Sequence, residues 1–85
     1  EGLETIKSPM LGTFYRAPKP GEPPFVEVGV VVDEETTVCL IEVMKLFTTI
    51  KAGISGRITS IRAEDSQLVE YNQVLFVVDP VGDPN

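Results

Sequence analysis

Histidine is absent from this 85-residue chain. Without an imidazole there can be no Ser-His-Asp or Cys-His arrangement, and few side chains remain to ligate a transition metal. Cysteine occurs once, at Cys39, so no intrachain disulfide can form, which fits a reducing compartment. That thiol lies between Val38 and Leu40 in an apolar run. With no base to activate it, it reads as a buried structural group and not as a nucleophile. Basic residues are scarce: seven Lys and Arg stand against thirteen Asp and Glu, for a net charge of -6. Spread along the chain, the seven leave no electrostatic footprint for nucleic acid. No apolar run is long enough to span a membrane, and no glycine-rich loop is present to cradle phosphate. Acid pairs occur at Glu34-Glu35 and Glu64-Asp65, each beside turn-like residues, so solvated turns are expected there in place of acid/base chemistry. By elimination the chain is not expected to perform a reaction alone. It begins at Glu1 with no charged-then-apolar leader, and reads as an excised or processed piece.

What remains is one small domain of short strands. A chain of this size buries roughly 60–65% of its unfolded surface, so its core is thin and its stability modest. Strands are expected at 4–7, 11–15, 38–43, 46–52, 57–62, 67–70 and 74–78, with 25–29 returning to the body and 30–32 continuing it. Ser8-Pro9, Asp33-Glu34-Glu35-Thr36, Gly53, Gly56, Ala63–Ser66 and Tyr71–Gln73 supply the turns. Ile58 and Ile61 are out of phase for a regular strand, which predicts a twist or bulge between them. No window has a helical period, and the fold class is all-β with about eight strands. Arg16 to Pro24 holds four of the seven prolines and predicts a stiff, partly extended projection. The tail 81–85 is expected to be loose.

Two similar halves are visible. Thr5-Ile6-Lys7 recurs as Thr49-Ile50-Lys51 and Gly12 as Gly56, at an offset of 44. Val32 and Val38–Ile41 match Val69 and Leu75–Val78 at an offset of 37, so the first half is longer by seven residues. The surplus falls between Gly12 and Val32, where the prolines are. Halves joined at residues 43–48 put Met44-Lys45 on an internal pseudo-axis and bring the chain ends together away from it. Interlocked short strands of this kind suit a flattened barrel or sandwich.

The joint is the chain's most unusual stretch. Val43 and Leu46 are expected to pair across a two-residue turn, yet such turns normally use Asn-Gly, Asp-Gly or a glycine pair. Met-Lys is poor turn chemistry, so something else selected it. A plain solvated loop lysine is the competing reading. In that hairpin Ile41, Val43, Leu46 and Thr48 share one face, and Leu40, Glu42, Phe47 and Thr49 the other. Met44 and Leu46 either pack the tip or serve as exposed apolar contacts for another protein. Glu42 is either such a contact or a solvated strand residue.

Glu42-Val43-Met44-Lys45 resembles the biotin-attachment tetrapeptide Glu-Ala-Met-Lys. Ser8–Arg16, Pro20–Gly29 and Leu68–Phe76 are similar to the carrier domain of acetyl-CoA carboxylase. The resemblance, to the biotin carboxyl carrier family, covers nearly the whole chain. It implies a flattened β-barrel (a barrel-sandwich hybrid) of two four-stranded antiparallel sheets with quasi-two-fold symmetry, over residues 1–80. It implies that Lys45 carries biotin as a covalent amide, a swinging arm attached by a biotin protein ligase with ATP, and that Val43, Met44, Leu46 and Glu42 flank it. In the family, biotin takes a carboxyl group at a biotin carboxylase and delivers it at a carboxyltransferase, making malonyl-CoA for fatty acid synthesis. The chain would be the non-catalytic carrier component, in bacterial cytoplasm or plastid stroma, and residues 16–24 would be the thumb loop beside the biotin. Four departures stand out. Val43 replaces the usual Ala, Leu46 a common Met, Asp33–Thr36 a Gly-Asp turn, and Ala17 a hydroxyl residue of some thumbs. A lipoyl carrier on the same fold, and an unmodified regulatory domain that competes with true carriers, are the alternatives.

Overall fold

Short apolar-polar alternations cut by Gly, Pro and acidic clusters favour strands over helices. The computed structural model describes residues 2–80, and among them every regular element is a strand. These are β1 (Glu4–Lys7), β2 (Gly12–Tyr15), β3 (Val31–Val32), β4 (Thr37–Val43), β5 (Leu46–Lys51), β6 (Gly56–Ile61), β7 (Gln67–Val69) and β8 (Val74–Asp79). One sheet has the order β1-β8-β6-β3 and the other β5-β4-β2-β7, with all neighbours antiparallel. The tail expected to be loose, 81–85, lies outside the described residues. No helix among those residues is long and apolar enough to cross a membrane.

The two sheet orders are one order written twice. Exchanging β1 with β5, β2 with β6, β3 with β7 and β4 with β8 turns either sheet into the other. The internal repeat is therefore a two-fold relation in space, and it extends to single hydrogen bonds. Ser8 N–H donates to the Gln73 carbonyl at 2.9 Å, and its equivalent, Ala52 N–H, donates to Thr36 at 2.8 Å. Gly29 N–H to the Ile58 carbonyl matches Ser66 N–H to Phe14. Even the corner turns correspond: Asp33 N–H donates to Thr36 Oγ1, and Glu70 N–H to Gln73 Oε1. The relation carries Ile41 and Thr48, paired beside the hairpin tip, onto Val78 and Glu4, paired beside the chain ends. The first and last strands, β1 and β8, therefore meet at the place equivalent to the tip.

Both halves need glycine at the same spot for the same reason. A Cβ on Gly12 would lie 2.6 Å from Ile41 Cγ2 and 2.7 Å from the Glu42 carbonyl oxygen. On Gly56 it would strike the Asp79 carbonyl oxygen and lie 2.7 Å from Val78 Cγ1. Each glycine lets one strand cross closely over the end of another.

The core fills the space between the sheets. Phe14 and Phe76 meet at its centre with ring centroids 5.9 Å apart and planes tilted by 54°. Their equivalents in the opposite half are Ile58 and Cys39, both fully buried. Each half thus gives one ring and accepts the other against a smaller side chain, a volume match that the native packing density demands. Ile6, Val26, Val32, Val38, Ile41, Ile50, Ala52, Ala63, Val69, Leu75 and Val78 complete the cluster. Cys39 is buried as expected, and burial pushes its thiol up from 9.0 to about 12.

One expectation needs correction. The segment 25–30 is not strand: only Val31–Val32 pair, because Glu27–Val30 forms a tight turn closed by the Val30 N–H on the Glu27 carbonyl. Gly29 takes φ 99° in that turn, and Ser66 takes φ 72° at the equivalent position. The seven-residue surplus falls between Gly12 and Val32, as expected, and the structure narrows it further. Val26 matches Ala63 in sequence position and burial, so the insertion lies between Tyr15 and Val26. The predicted irregularity in the sixth strand is present, as a register shift between Ile58 and Ser60.

Candidate functional site

At the tip of the β4–β5 hairpin Glu42 pairs with Phe47 and Val43 with Leu46, leaving Met44-Lys45 as the two-residue turn. Both turn residues are left-handed, with φ 52° at Met44 and 70° at Lys45. Two-residue hairpins need this because it matches the twist of the flanking strands. For L-residues without the freedom of glycine it costs roughly 1–2 kcal/mol each. Neither Met nor Lys has the short polar side chain that usually eases such a conformation.

Support comes from the neighbouring strand. The Lys45 N–H donates to Glu42 Oε2 at 2.6 Å. Glu42 is thus not an idle solvated strand residue, because its carboxylate ties down the turn. Below the turn, Val43 Cγ2 comes within 2.9 Å of the position a Gly12 Cβ would occupy. The β-branched departure at residue 43 is therefore seated over a glycine that leaves it room.

Above this base the side chains stand clear. Met44 is 86% exposed and Leu46 74%, so packing onto the barrel does not account for them. Lys45 is exposed, and the one ion pair among the described residues is Lys51 with Glu35, at 3.4 Å. Lys45 thus presents a primary amine on a short turn, without an ion-pair partner among the described residues and flanked by two exposed apolar side chains.

Beside the hairpin lies a cleft of about 620 Å³. Phe47, Leu40 and Tyr15 form its floor on the outer face of the sheet, and the proline-rich loop forms its wall. The Phe47 and Tyr15 rings are 6.0 Å apart, tilted by 41°. Arg16 anchors the loop at three points. Its N–H donates to Asp65 Oδ1 at 2.8 Å, its carbonyl accepts from the Phe25 N–H at 2.7 Å, and its guanidinium Nη2 donates to the Val26 carbonyl at 2.9 Å. The loop reverses at Pro20-Gly21, closed by the Glu22 N–H on the Lys19 carbonyl at 3.1 Å, with Gly21 at φ 85°. Pro followed by Gly is the sequence such a turn prefers. The Glu64-Asp65 pair is in an exposed turn as expected, but Asp65 also braces the loop.

Sequence reasoning placed the lysine, its apolar neighbours and the loop. It missed the Glu42 and Arg16 anchors. Glu42 and Lys45 are three apart and look like an ordinary charged pair, whereas the bond runs to the main chain. Arg16 and Asp65 are 49 residues apart, and nothing local connects them.

Comparison with known proteins puts this geometry in context. The family described as "Biotin-requiring enzyme" matches residues 4–78. The biotin carboxyl carrier protein of acetyl-CoA carboxylase from Nostoc sp. is 50% identical over 78 residues, which cover 92% of this chain and 43% of that protein. The chloroplastic carrier protein of the same name from Glycine max is 53% identical over 78 residues, covering 92% of this chain and 30% of that one. Among solved structures, the urea carboxylase of Kluyveromyces lactis superposes with a TM-score of 0.76 at 26% identity, over 92% of this chain and 6% of that enzyme. The chain spans less than half the length of the curated relatives it matches.

Proposed function

Because the chain belongs to the biotin-requiring enzyme family, we propose that it is the biotin carboxyl carrier domain of an acetyl-CoA carboxylase, with biotin held in amide linkage to Lys45. The observation that carries this reading is the turn itself. Lys45 stands exposed, with no ion pair among the described residues, on a left-handed tip whose sequence suits no ordinary hairpin. The donor fits the group, since a primary amine forms an amide with the biotin carboxyl by loss of water, driven by ATP on a biotin protein ligase. When bound, biotin supplies a ureido nitrogen that takes up and releases a carboxyl group.

The chain's own residues supply display. Glu42 and the β4–β5 ladder hold the base of Lys45 rigid, so the long side chain moves from a fixed point. Met44 and Leu46 offer the ligase apolar contacts that the barrel does not bury. The chain has no histidine to deprotonate the lysine ammonium, so the ligase must do so. The partners are the ligase, a biotin carboxylase and a carboxyltransferase, and the product class is malonyl-CoA for fatty acid synthesis. The chloroplastic name of one relative and the bacterial source of another support a plastid stroma or a bacterial cytoplasm as the setting. Residues 1–80 form the biotinyl domain and 16–24 its thumb. The cleft floored by Phe47, two residues from Lys45, supports that role for the loop.

The test is a streptavidin blot after incubation with a biotin protein ligase, biotin and ATP. The wild-type chain is expected to label. Lys45→Arg is expected to lose all label while keeping its circular dichroism and melting temperature, because the side chain is exposed. Label persisting on that variant would move the site elsewhere. Both curated relatives compared above carry the biotin carrier name, and no observation here favours lipoate or an unmodified lysine.

A further inference from the structure

In a two-residue hairpin the main-chain groups of the flanking pair bond each other, and the second turn residue's N–H has no ladder partner. Here that orphan is the Lys45 N–H, and it meets Glu42 Oε2 at 2.6 Å. The acceptor comes from the outer face of β4, where Glu42 sits between Phe47 on β5 and Thr13 on β2. Among the described residues that carboxylate has no cationic partner, and the Lys45 N–H is its recorded bond. The turn it closes has two left-handed residues and no glycine, asparagine or aspartate. Such a turn lacks internal support, and a hydrogen bond to a charged acceptor is stronger than one to a neutral acceptor.

We propose that Glu42 is a positioning residue for the modification of Lys45. It acts through the turn, holding the Lys45 backbone in the left-handed conformation that aims the side chain away from the barrel, and not by contacting the incoming group. This deepens the carrier reading and rests on it. It differs from a direct contact between Glu42 and the ligase, which would need the charge and not the acceptor geometry.

The experiment compares wild type, Glu42→Gln and Glu42→Ala in the 85-residue chain by two measurements. The first is amide hydrogen exchange at Lys45 without ligase. The second is kcat/KM for labelling by a biotin protein ligase. Glu42→Gln keeps an oxygen acceptor. It is expected to retain most of the Lys45 amide protection and to label within about threefold of wild type, since a neutral acceptor is the weaker one. Glu42→Ala is expected to lose about tenfold in amide protection and about tenfold in kcat/KM, the effect of losing one hydrogen bond to a charged group. Unchanged Lys45 exchange in Glu42→Ala would overturn the proposal. So would Glu42→Gln labelling as poorly as Glu42→Ala while keeping the amide protected, because that pattern belongs to a direct charge contact. The exchange measurement uses no ligase, so it stands apart from the carrier reading. If wild type itself takes no label, that reading fails, and the positioning role fails with it.

Discussion

Gly12 and Gly56 show how little room the barrel leaves at its crossings. Gly12→Ala puts a methyl within 2.7 Å of a carbonyl oxygen and of the Ile41 side chain. Overpacking of this kind costs roughly 1–3 kcal/mol, and a loss of 1 kcal/mol lowers the melting temperature of a domain this size by about 4–8 °C. Gly56→Ala is expected to cost more, because the first atom met is the main-chain oxygen of Asp79, which cannot rotate away. Calorimetric melts of the two variants check the order. Cys39 gives a pH signature. Its thiol keeps its proton up to about 12 in the fold, against 9.0 unperturbed. Between those values the unfolded chain has lost the proton and the folded one has not. Stability therefore falls as pH rises, by up to about 1.4 kcal/mol per pH unit from this group. Cys39→Ala is expected to start less stable and to show a shallower decline from pH 9 upward in denaturant titrations. The buried thiol was legible because its sequence neighbours are apolar and no base exists to activate it. The Glu42 bond was not, because sequence spacing does not reveal when a side chain turns back to the main chain.

The strands themselves were legible wherever apolar and polar residues alternate or a β-branched run is bounded by turn residues. β4 and β5 are the clear cases, and the pairing of Val43 with Leu46 followed from their lengths. The segment 25–30 misled for a physical reason. Its valines suggest strand, but Val28 is exposed and the chain turns through Gly29, since Val26 alone is needed in the core. The proline-rich loop was legible as a projection, whereas its three-point anchorage on Arg16 was not, being built from residues distant in sequence. The second half shows the same corner closed without the insertion. Replacing residues 17–24 by two or three glycines is therefore expected to change the unfolding free energy by no more than about 1 kcal/mol, the scale of loop-length effects. The replacement uncovers Tyr15 and Phe47, and fluorescence of a dye selective for apolar surface is expected to rise. Loss of the folded state would show that the loop is part of the fold and not an addition to it.

At the scale of the whole molecule, the two offsets read from the sequence became a two-fold axis relating the sheets, with dimensions of 43 × 26 × 19 Å for the chain. The relation was legible because each half must place its buried residues and its close-packed glycine at equivalent points. The insertion, free of that demand, blurred its own boundaries. Symmetry also explains why one end of the barrel can hold a modified group. Where one half has the β4–β5 hairpin, the equivalent pair in the other is β1 with β8, which no hairpin turn joins among the described residues. The central claim is that this tip carries biotin on Lys45 alone. The chain contains three other lysines, Lys7, Lys19 and Lys51, which serve as internal controls. Intact-mass measurement after ligase treatment, followed by peptide mapping, is expected to find one biotin per chain, on the peptide containing Lys45. An unchanged mass, or biotin mapped to Lys7, Lys19 or Lys51, would contradict it.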